Sequence, residues 1–394
     1  MDKLPVNVWV VTLTSFLTDI SSEMIFNLLP LFLSNVLGVS TSTIGLIEGI
    51  AETTASLLKG ASGWLSDKLG QRKWLTVTGY SLSAVVKPFL YFAAAWSGVL
   101  AVRFMDRVGK GIRTAPRDAL IADSIAPQHR GVAFGLHRAG DTAGAMMGLI
   151  LALGIVLASQ SDAIRLSRET FQTLVLVSMI PGFLAVIVLA TGAREVPIQK
   201  KAQPTGHRFQ DLNPRFRSFL FIVVIFTLGN SADAFLILRA QERGLSVAGV
   251  LGMLITFNLV YASLSGPAGS LSDRVGRGRL IIGGWLAYSL LYFGFALSST
   301  NWQIWILYSL YGVYYAAVEG TAKALVADLV PSEQRGTAYG YYNGAVGLAA
   351  LPASLIAGVL WQEVGPNTPF LAGAGLALAA VVLLMFWFRQ LREI

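Results

Sequence analysis

Twelve apolar segments, each about as long as a membrane-spanning helix, make up most of the sequence. An α-helix needs roughly 20 mostly apolar residues to cross the hydrocarbon core of a bilayer. Only 13% of the residues are charged, which is about half the share found in a soluble globular domain. The sequence therefore predicts an all-α membrane protein. Its twelve transmembrane helices are expected near residues 8–35, 42–66, 74–95, 98–122, 131–158, 170–192, 218–240, 246–271, 279–299, 302–328, 336–361 and 367–388.

The longest polar segment between these helices covers residues 194–217 and is rich in proline, glutamine and basic residues. This composition is typical of a linker. We therefore predict an N-terminal six-helix bundle over residues 1–193 and a C-terminal one over 218–394. Lysine and arginine concentrate in the linker and in the loops on its side of the membrane, so the linker and both termini are predicted to be cytoplasmic.

Two stretches of the first half recur in the second. Residues 63–73 (GWLSDKLGQRK) correspond to 269–279 (GSLSDRVGRGR), and residues 119–135 correspond to 324–340. Both pairs fall in equivalent cytoplasmic loops, which is what a duplicated six-helix unit predicts.

The chain contains few of the residues that commonly carry out catalysis. There is no cysteine and there are only three histidines, and we find no phosphate-binding loop or hydrolase signature. The net charge of +8 is spread over the loops and forms no patch for nucleic acid. We predict that the protein is not an enzyme and does not bind nucleic acid.

Charged residues inside the predicted helices are candidates for function, because an ionisable group that faces lipid is costly. Many lie between residues 102 and 144, and the first helix adds two carboxylates one turn apart. Repulsion between neighbouring carboxylates makes one of them a candidate proton carrier. No spacing enforces a metal site, and we predict none. The N-terminal candidates are Asp19, Glu23, Arg107, Lys110, Arg113, His137, Arg138 and Asp141.

The loop at Gly63, Asp67, Gly70 and Arg72 resembles the signature G-x-L-x-D-x-x-G-R/Q-R/K of the major facilitator superfamily, and the resemblance covers the whole chain. It implies two pseudo-symmetric bundles that rock about a central site lined by the first, fourth, seventh and tenth helices. It also implies that the repeated loops act as a cytoplasmic gate. The residues assigned to this gate are Gly63, Asp67, Gly70, Arg72, Asp123, Arg130, Gly269, Asp273, Gly276, Asp328 and Arg335.

The fourth helix, with Arg107, resembles a pattern that proton-linked members carry, but the fifth helix lacks the Gly-Pro pair of the drug–proton antiporters. In the second half, amide and aromatic side chains replace most of the charge. An aromatic stripe is usually packing, but on a cavity-lining tenth helix it would also suit substrate contact. The C-terminal candidates are Asn230, Asp233, Tyr311, Tyr315 and Glu319.

The predicted function is a proton-coupled secondary transporter that works by alternating access and exports a small amphipathic organic compound. Its drive would be the proton motive force, without a cofactor. Its partners would be the substrate, protons and the lipid bilayer, and it would act as a monomer in the inner membrane of a bacterium. One alternative is uptake of a small organic anion or a metal chelate. Another is a membrane sensor or assembly factor that uses the same fold without transporting.

Overall fold

The computed structural model describes residues 4–126, 129–160, 163–196, 209–331 and 334–392, with side chains to Arg389. Half of the predicted linker, residues 197–208, therefore lies outside the described residues. Within the described ranges the chain forms twelve long helices and no β-strand. They are α1 (Val6–Val36), α2 (Thr41–Leu69), α3 (Lys73–Val86, continued by a 3-10 helix at Lys87–Phe92), α4 (Trp96–Asp123), α5 (Arg130–Gln160), α6 (Arg168–Gly192), α7 (Pro214–Glu242), α8 (Val247–Val275), α9 (Arg277–Leu297), α10 (Asn301–Leu329), α11 (Arg335–Glu363) and α12 (Thr368–Arg392).

These helices confirm the twelve predicted spans, with ends that differ by a few residues. Among the described residues, eight of the helices are long and apolar enough to cross a membrane by composition alone. The other four are α2, α3, α4 and α10. Of these, α3 has only 14 α-helical residues, while α2, α4 and α10 carry polar, charged or tyrosine side chains in place of aliphatic ones.

The chain divides into two compact units. The first comprises residues 1–39, 50–201 and 246–255, and the second comprises residues 40–49, 202–245 and 256–394. Within the first unit, α1 packs on α5 and α6, and α3 packs on α4 and α6. Within the second, α7 packs on α11 and α12, and α9 packs on α10 and α12. The same pairs of helices therefore pack in both halves, as the sequence repeat predicts.

Small residues allow α5 to lie directly on α1. The glycines at 140, 144 and 148 follow one another at four-residue spacing, which is the pattern that permits close packing of membrane helices. A Cβ atom at Gly148 would lie 2.6 Å from the carbonyl oxygen of Ile20. A side chain at this position would separate the two helices and displace the charged residues of α1.

The first helix of each half is interrupted. In α1, regular helix covers Val6–Phe26, resumes at Leu29–Leu31 and ends in a π-helical turn at Phe32–Val36. In α7, the two segments are Pro214–Gly229 and Ala234–Glu242. Discontinuous helices at corresponding positions of two repeats are the typical place for a substrate or coupling-ion site in secondary transporters. The two breaks therefore locate the candidate site in each half.

Candidate functional site

The carboxylates of α1 lie just before its break. Asp19 is half-buried and interacts electrostatically with Asp141 of α5, with Glu23, and with Lys110 and Arg113 of α4. Glu23 accepts a hydrogen bond of 2.6 Å from the side-chain amide of Asn27, one turn further along the chain. The structure thus brings five of the predicted N-terminal site residues together where α1, α4 and α5 meet.

The ring of Phe26, the last residue before the break in α1, is surrounded by three bases. The guanidinium carbon of Arg103 lies 4.4 Å from the ring centroid, the Nζ of Lys87 lies 5.7 Å away, and the guanidinium carbon of Arg107 lies 5.9 Å away. Lys87 is buried and donates hydrogen bonds of 3.0 and 2.9 Å to two serine hydroxyls of α1. Cations at these distances are attracted by the negative face of an aromatic ring.

Two carboxylates lie opposite these bases. A guanidinium nitrogen of Arg107 is 3.5 Å from Oε1 of Glu52 on α2. Asp106 of α4 is buried and interacts electrostatically with Lys87. The Glu52 side chain stays 48% exposed, so this ion pair lies at the accessible edge of the cluster, whereas Asp106 lies inside it.

Arg113 of α4 is held by two residues of α3, and one of these two also contacts α1. It donates a hydrogen bond of 2.6 Å to Oγ of Ser83 on α3, and its guanidinium carbon lies 4.4 Å from the centroid of the Tyr80 ring. The hydroxyl of Tyr80 lies 2.8 Å from Oγ of Ser15 on α1. A shift of α4 against α1 and α3 would therefore disturb the position of this charge.

His137 and Arg138 differ in their surroundings although they are adjacent in α5. His137 is buried, with Nε2 3.8 Å from Oδ2 of Asp141. Arg138 is exposed. His137 therefore belongs to the interior with Asp141, while Arg138 lies on the accessible side of α5.

The C-terminal candidates follow the break in α7 and one face of α10. Oδ1 of Asn230 accepts a hydrogen bond of 3.3 Å from the hydroxyl of Tyr288, and Oδ1 of Asp233 accepts one of 3.3 Å from Tyr311. Tyr315 lies one turn after Tyr311, and the two rings meet edge to face with centroids 5.1 Å apart. The carboxylate at the break is thus surrounded by phenol groups.

Glu319 lies one further turn along α10. Its Oε2 accepts a hydrogen bond of 2.7 Å from the hydroxyl of Tyr261 on α8, and its Oε1 lies 3.2 Å from Nζ of Lys323. The structure therefore places the five C-terminal candidates in one continuous band that starts at Asn230 and ends at Glu319.

The first repeated loop is organised by Arg72. Its guanidinium nitrogens lie 2.6 Å from Oδ1 of Asp67 and 3.3 Å from Oδ2 of Asp123. The backbone N–H of Arg72 donates a hydrogen bond of 2.7 Å to Oε1 of Glu195, which also accepts from the next backbone N–H. Arg72 therefore joins the ends of α2 and α4, and Glu195 caps the start of α3.

The second loop repeats this arrangement with a shift of one residue. Arg277 has one guanidinium nitrogen 2.7 Å from Oδ2 of Asp328 and another 3.9 Å from Oδ1 of Asp273. In the aligned repeat, however, Arg277 corresponds to Gln71 and not to Arg72. The two halves thus build the same ion-pair cluster with arginines from adjacent positions.

The glycines of the two loops have different roles. Gly70 and Gly276 have φ angles of 67° and 95°, and only glycine adopts such angles readily. A Cβ at Gly63 would lie 3.3 Å from that of Ala115, whereas one at Gly269 would meet no atom within 4 Å. The turn glycine is therefore required in both copies, but the close approach of helices exists only in the first.

The arginines that follow α4 and α10 also repeat. Nε of Arg130 donates a hydrogen bond of 3.1 Å to the carbonyl of Ala122, and Nε of Arg335 donates one of 3.3 Å to the carbonyl of Ala327. In both cases the acceptor lies eight residues earlier. Each arginine therefore fixes the turn between two long helices by binding a carbonyl near the end of the first one.

Five residues that the structure places in the N-terminal cluster are not among the candidates selected from the sequence, namely Phe26, Glu52, Lys87, Arg103 and Asp106. A signal existed for each. Phe26 lies seven residues after Asp19 and so shares its helix face, and the other four are charges within predicted spans. What the sequence could not provide is the distance between residues that lie on different helices.

Two similarly packed halves, interrupted first helices and ionisable residues inside the helices define a class of protein, the secondary transporters with internal repeats. The chain matches the model of the Major Facilitator Superfamily over residues 11–255 and 218–393. It therefore belongs to this family, and it is a multi-pass integral membrane transporter and not an enzyme.

Relatives agree with this assignment. An uncharacterized MFS-type transporter of Methanocaldococcus jannaschii is 37% identical over 98% of this chain and 95% of its own length. The multidrug resistance protein MdtG of Escherichia fergusonii is 24% identical over 98% of this chain and 95% of its own length. The crystal structure of a mutant of the nucleoside transporter NupG has the same fold, with a TM-score of 0.80 at 14% identity over 97% of this chain and all of that one.

Proposed function

We propose that the protein exchanges protons for a small amphipathic organic compound and thereby exports it. The observation that carries this proposal is the position of Asp19, whose neighbours include a second carboxylate, Asp141, and two bases, Lys110 and Arg113. Loss or gain of one proton in such a cluster changes which ion pairs are favourable. Because the carboxylates and the bases come from different helices, a proton on Asp19 would shift the balance between two helix arrangements.

Two observations support export of an amphipathic compound. The band from Asp233 to Glu319 combines carboxylates with aromatic rings, and apolar surface with a few placed polar groups is typical of small-molecule sites. The similarity to MdtG, named as a multidrug resistance protein, points in the same direction. With the linker and both termini on the basic, cytoplasmic side, the protein would act in the cytoplasmic membrane.

Everted membrane vesicles test the proposal. We would establish an inside-acid gradient, follow it with a pH-sensitive dye, and add a panel of cationic, neutral and anionic amphiphiles. At least one compound should dissipate the gradient in vesicles with the wild-type protein but not in empty ones. Asp19→Asn should abolish this response at equal protein level. Glu169→Gln, which neutralises an exposed carboxylate of α6, should leave it unchanged.

Two outcomes would contradict the proposal. One is that no compound dissipates the gradient beyond the empty vesicles, and the other is that Asp19→Asn responds like the wild type. Uptake of an organic anion is the second candidate function, favoured by the three bases that surround Phe26. Anion uptake predicts that only anionic members of the panel change the gradient, and that they cross the membrane in the same direction as the protons.

A further inference from the structure

Three aromatic rings form an accessible wall beside the break in α7. The Tyr315 ring of α10 meets Phe257 and Tyr261 of α8 edge to face, with centroids 5.6 and 6.3 Å apart and interplanar angles of 83° and 87°. Phe257 and Tyr261 are parallel to each other within 5°. All three rings are partly exposed. Part of each of these residues is therefore accessible to a ligand, in contrast to the buried Tyr308 and Tyr311 that contact Phe257 from behind.

A carboxylate lies at one end of this wall. Asp233 interacts electrostatically with four phenol groups, those of Tyr292, Tyr311, Tyr314 and Tyr315. It is partly exposed and lies at the discontinuity between the two segments of α7. Helix discontinuities are where transporters present polar groups to a substrate.

The second carboxylate, Glu319, lies at the other end of the wall. It accepts the hydrogen bond from Tyr261 and is the partner of Lys323, whose side chain is 52% exposed. In the sequence, Asp233 is the one charged residue between positions 218 and 238, and positions 245–272 contain none. Helices α7 and α10 thus contribute two acids and one base beside the wall.

We propose that this surface, formed by Phe257, Tyr261 and Tyr315 between Asp233 and Glu319, binds a lipophilic organic cation. Aromatic faces attract a weakly hydrated cation, and the attraction grows when water is excluded. A nearby carboxylate adds charge attraction that an anion of the same shape would experience as repulsion. The inference names the substrate class and rests on the proposed function, but it concerns binding alone and needs no proton movement.

A pair of ions with the same shape and opposite charge tests it. We would measure equilibrium binding of tetraphenylphosphonium and of tetraphenylborate to the purified full-length protein, and count only binding that excess unlabelled ion displaces. The wild type should bind tetraphenylphosphonium saturably and tetraphenylborate much more weakly. The proposal is overturned if the anion binds as tightly as the cation, or if the cation shows no saturable binding.

Substitutions then locate the site. Asp233→Asn should raise the Kd for tetraphenylphosphonium by roughly tenfold or more. Tyr315→Phe, which keeps the ring, should change it little, whereas Tyr315→Leu should weaken binding clearly. Glu363→Gln and Phe293→Leu remove an exposed carboxylate and an exposed ring elsewhere and should have no effect. An unchanged Kd in Asp233→Asn, or equal losses in the two Tyr315 variants, would refute the assignment.

Lys323→Gln provides a test whose expected result, tighter binding, a misfolded protein would not give. Removing this base leaves the Glu319 charge without its partner at 3.2 Å, so tetraphenylphosphonium binding should become tighter by roughly two- to fivefold for a partly exposed pair. Unchanged or weaker binding would contradict the proposal. Because these measurements use no gradient, cation binding without proton exchange would reject only the proposed coupling, and proton exchange with a different ligand class would reject only this inference.

Discussion

Arg239 allows a stability prediction whose size follows from its contacts. Its side chain is 0% exposed. It donates hydrogen bonds of 3.1, 3.0 and 3.2 Å to the backbone carbonyls of Phe295, Ala296 and Ser298, which lie at the C-terminal end of α9. A fourth contact of 2.7 Å joins it to Glu242. The guanidinium thus binds α9 to the second segment of α7, the segment that follows Asp233.

Replacing Arg239 by methionine keeps an unbranched apolar stem, although a shorter one, and removes every donor. A buried carbonyl that loses its donor costs about 1–3 kcal/mol, and a cation lost from a helix C-terminus costs about 0.3–2 kcal/mol. Glu242 is 36% exposed and can be rehydrated, so its loss adds little. Water or a 3-10 hydrogen bond will satisfy some of these carbonyls, so the total is smaller than the sum of the separate costs. We expect Arg239→Met to lower the free energy of unfolding by about 3–5 kcal/mol.

The assay is the thermal midpoint of the purified protein in detergent, followed as the folded fraction that survives heating. For a unit of this size about 2–4 °C is lost per kcal/mol, so the midpoint should fall by roughly 6–20 °C. Arg243→Met is the matched control, because Arg243 also contacts Glu242 but is 24% exposed and should cost at most about 1 kcal/mol. An unchanged midpoint for Arg239→Met, or an equal fall in both variants, would refute the reasoning.

Three further predictions follow from other parts of the structure. Asp19→Asn, which should no longer exchange protons, should flatten the pH dependence of the initial rate of downhill substrate transport, and a profile that keeps its wild-type shape would remove this residue from coupling. Arg72→Met should slow turnover roughly tenfold while changing the ligand Kd little. Arg277→Met should slow turnover less, because its ion pair is more exposed: the side chains of Arg277 and Asp328 are 28% and 51% accessible, whereas those of Arg72 and Asp123 are 9% and 34% accessible. A pure binding defect in these variants would contradict a role as a gate. Gly148→Ala should reduce the yield of folded protein, since its Cβ would lie 2.6 Å from the Ile20 carbonyl oxygen. Gly154→Ala should not reduce the yield, because a Cβ there would meet no atom within 4 Å. Equal yields would show that α1 and α5 can separate without cost.

The helices were predictable because a bilayer leaves the backbone few alternatives. Polar backbone groups in lipid must bond within their own segment, so each long apolar run becomes a helix. The loops were predictable for a different reason. Gly70 and Gly276 need positive φ angles, and aspartate and arginine recur beside them, so the repeat was visible in the sequence.

Contacts between distant segments were not predictable. The acceptors of Arg239 lie 56 to 59 residues further along the chain and are backbone carbonyls, which no residue pattern indicates. The break in α1 was not predicted, although Pro30 lies in the first turn of the segment that resumes after it, which is the position in a helix where proline is tolerated. The register shift of Arg277 was hidden as well, because a side chain of this length reaches the same carboxylate from either of two adjacent positions.

The two halves preserve the ion-pair cluster of the repeated loops but not the interior, and the physical constraints differ between the two places. At the loops, an arginine has to join the ends of two helices whose relative position is fixed by packing, so both copies retain Asp–Arg–Asp contacts. Inside the membrane, any polar group is tolerated only with a local partner. The first half supplies charged partners, such as Glu52 for Arg107, and the second supplies phenols, such as Tyr311 for Asp233. Either solution satisfies the same constraint, so duplication does not require the interiors to match. Variants of Asp19 and of Asp233 therefore test separate hypotheses, and neither result can be inferred from the other.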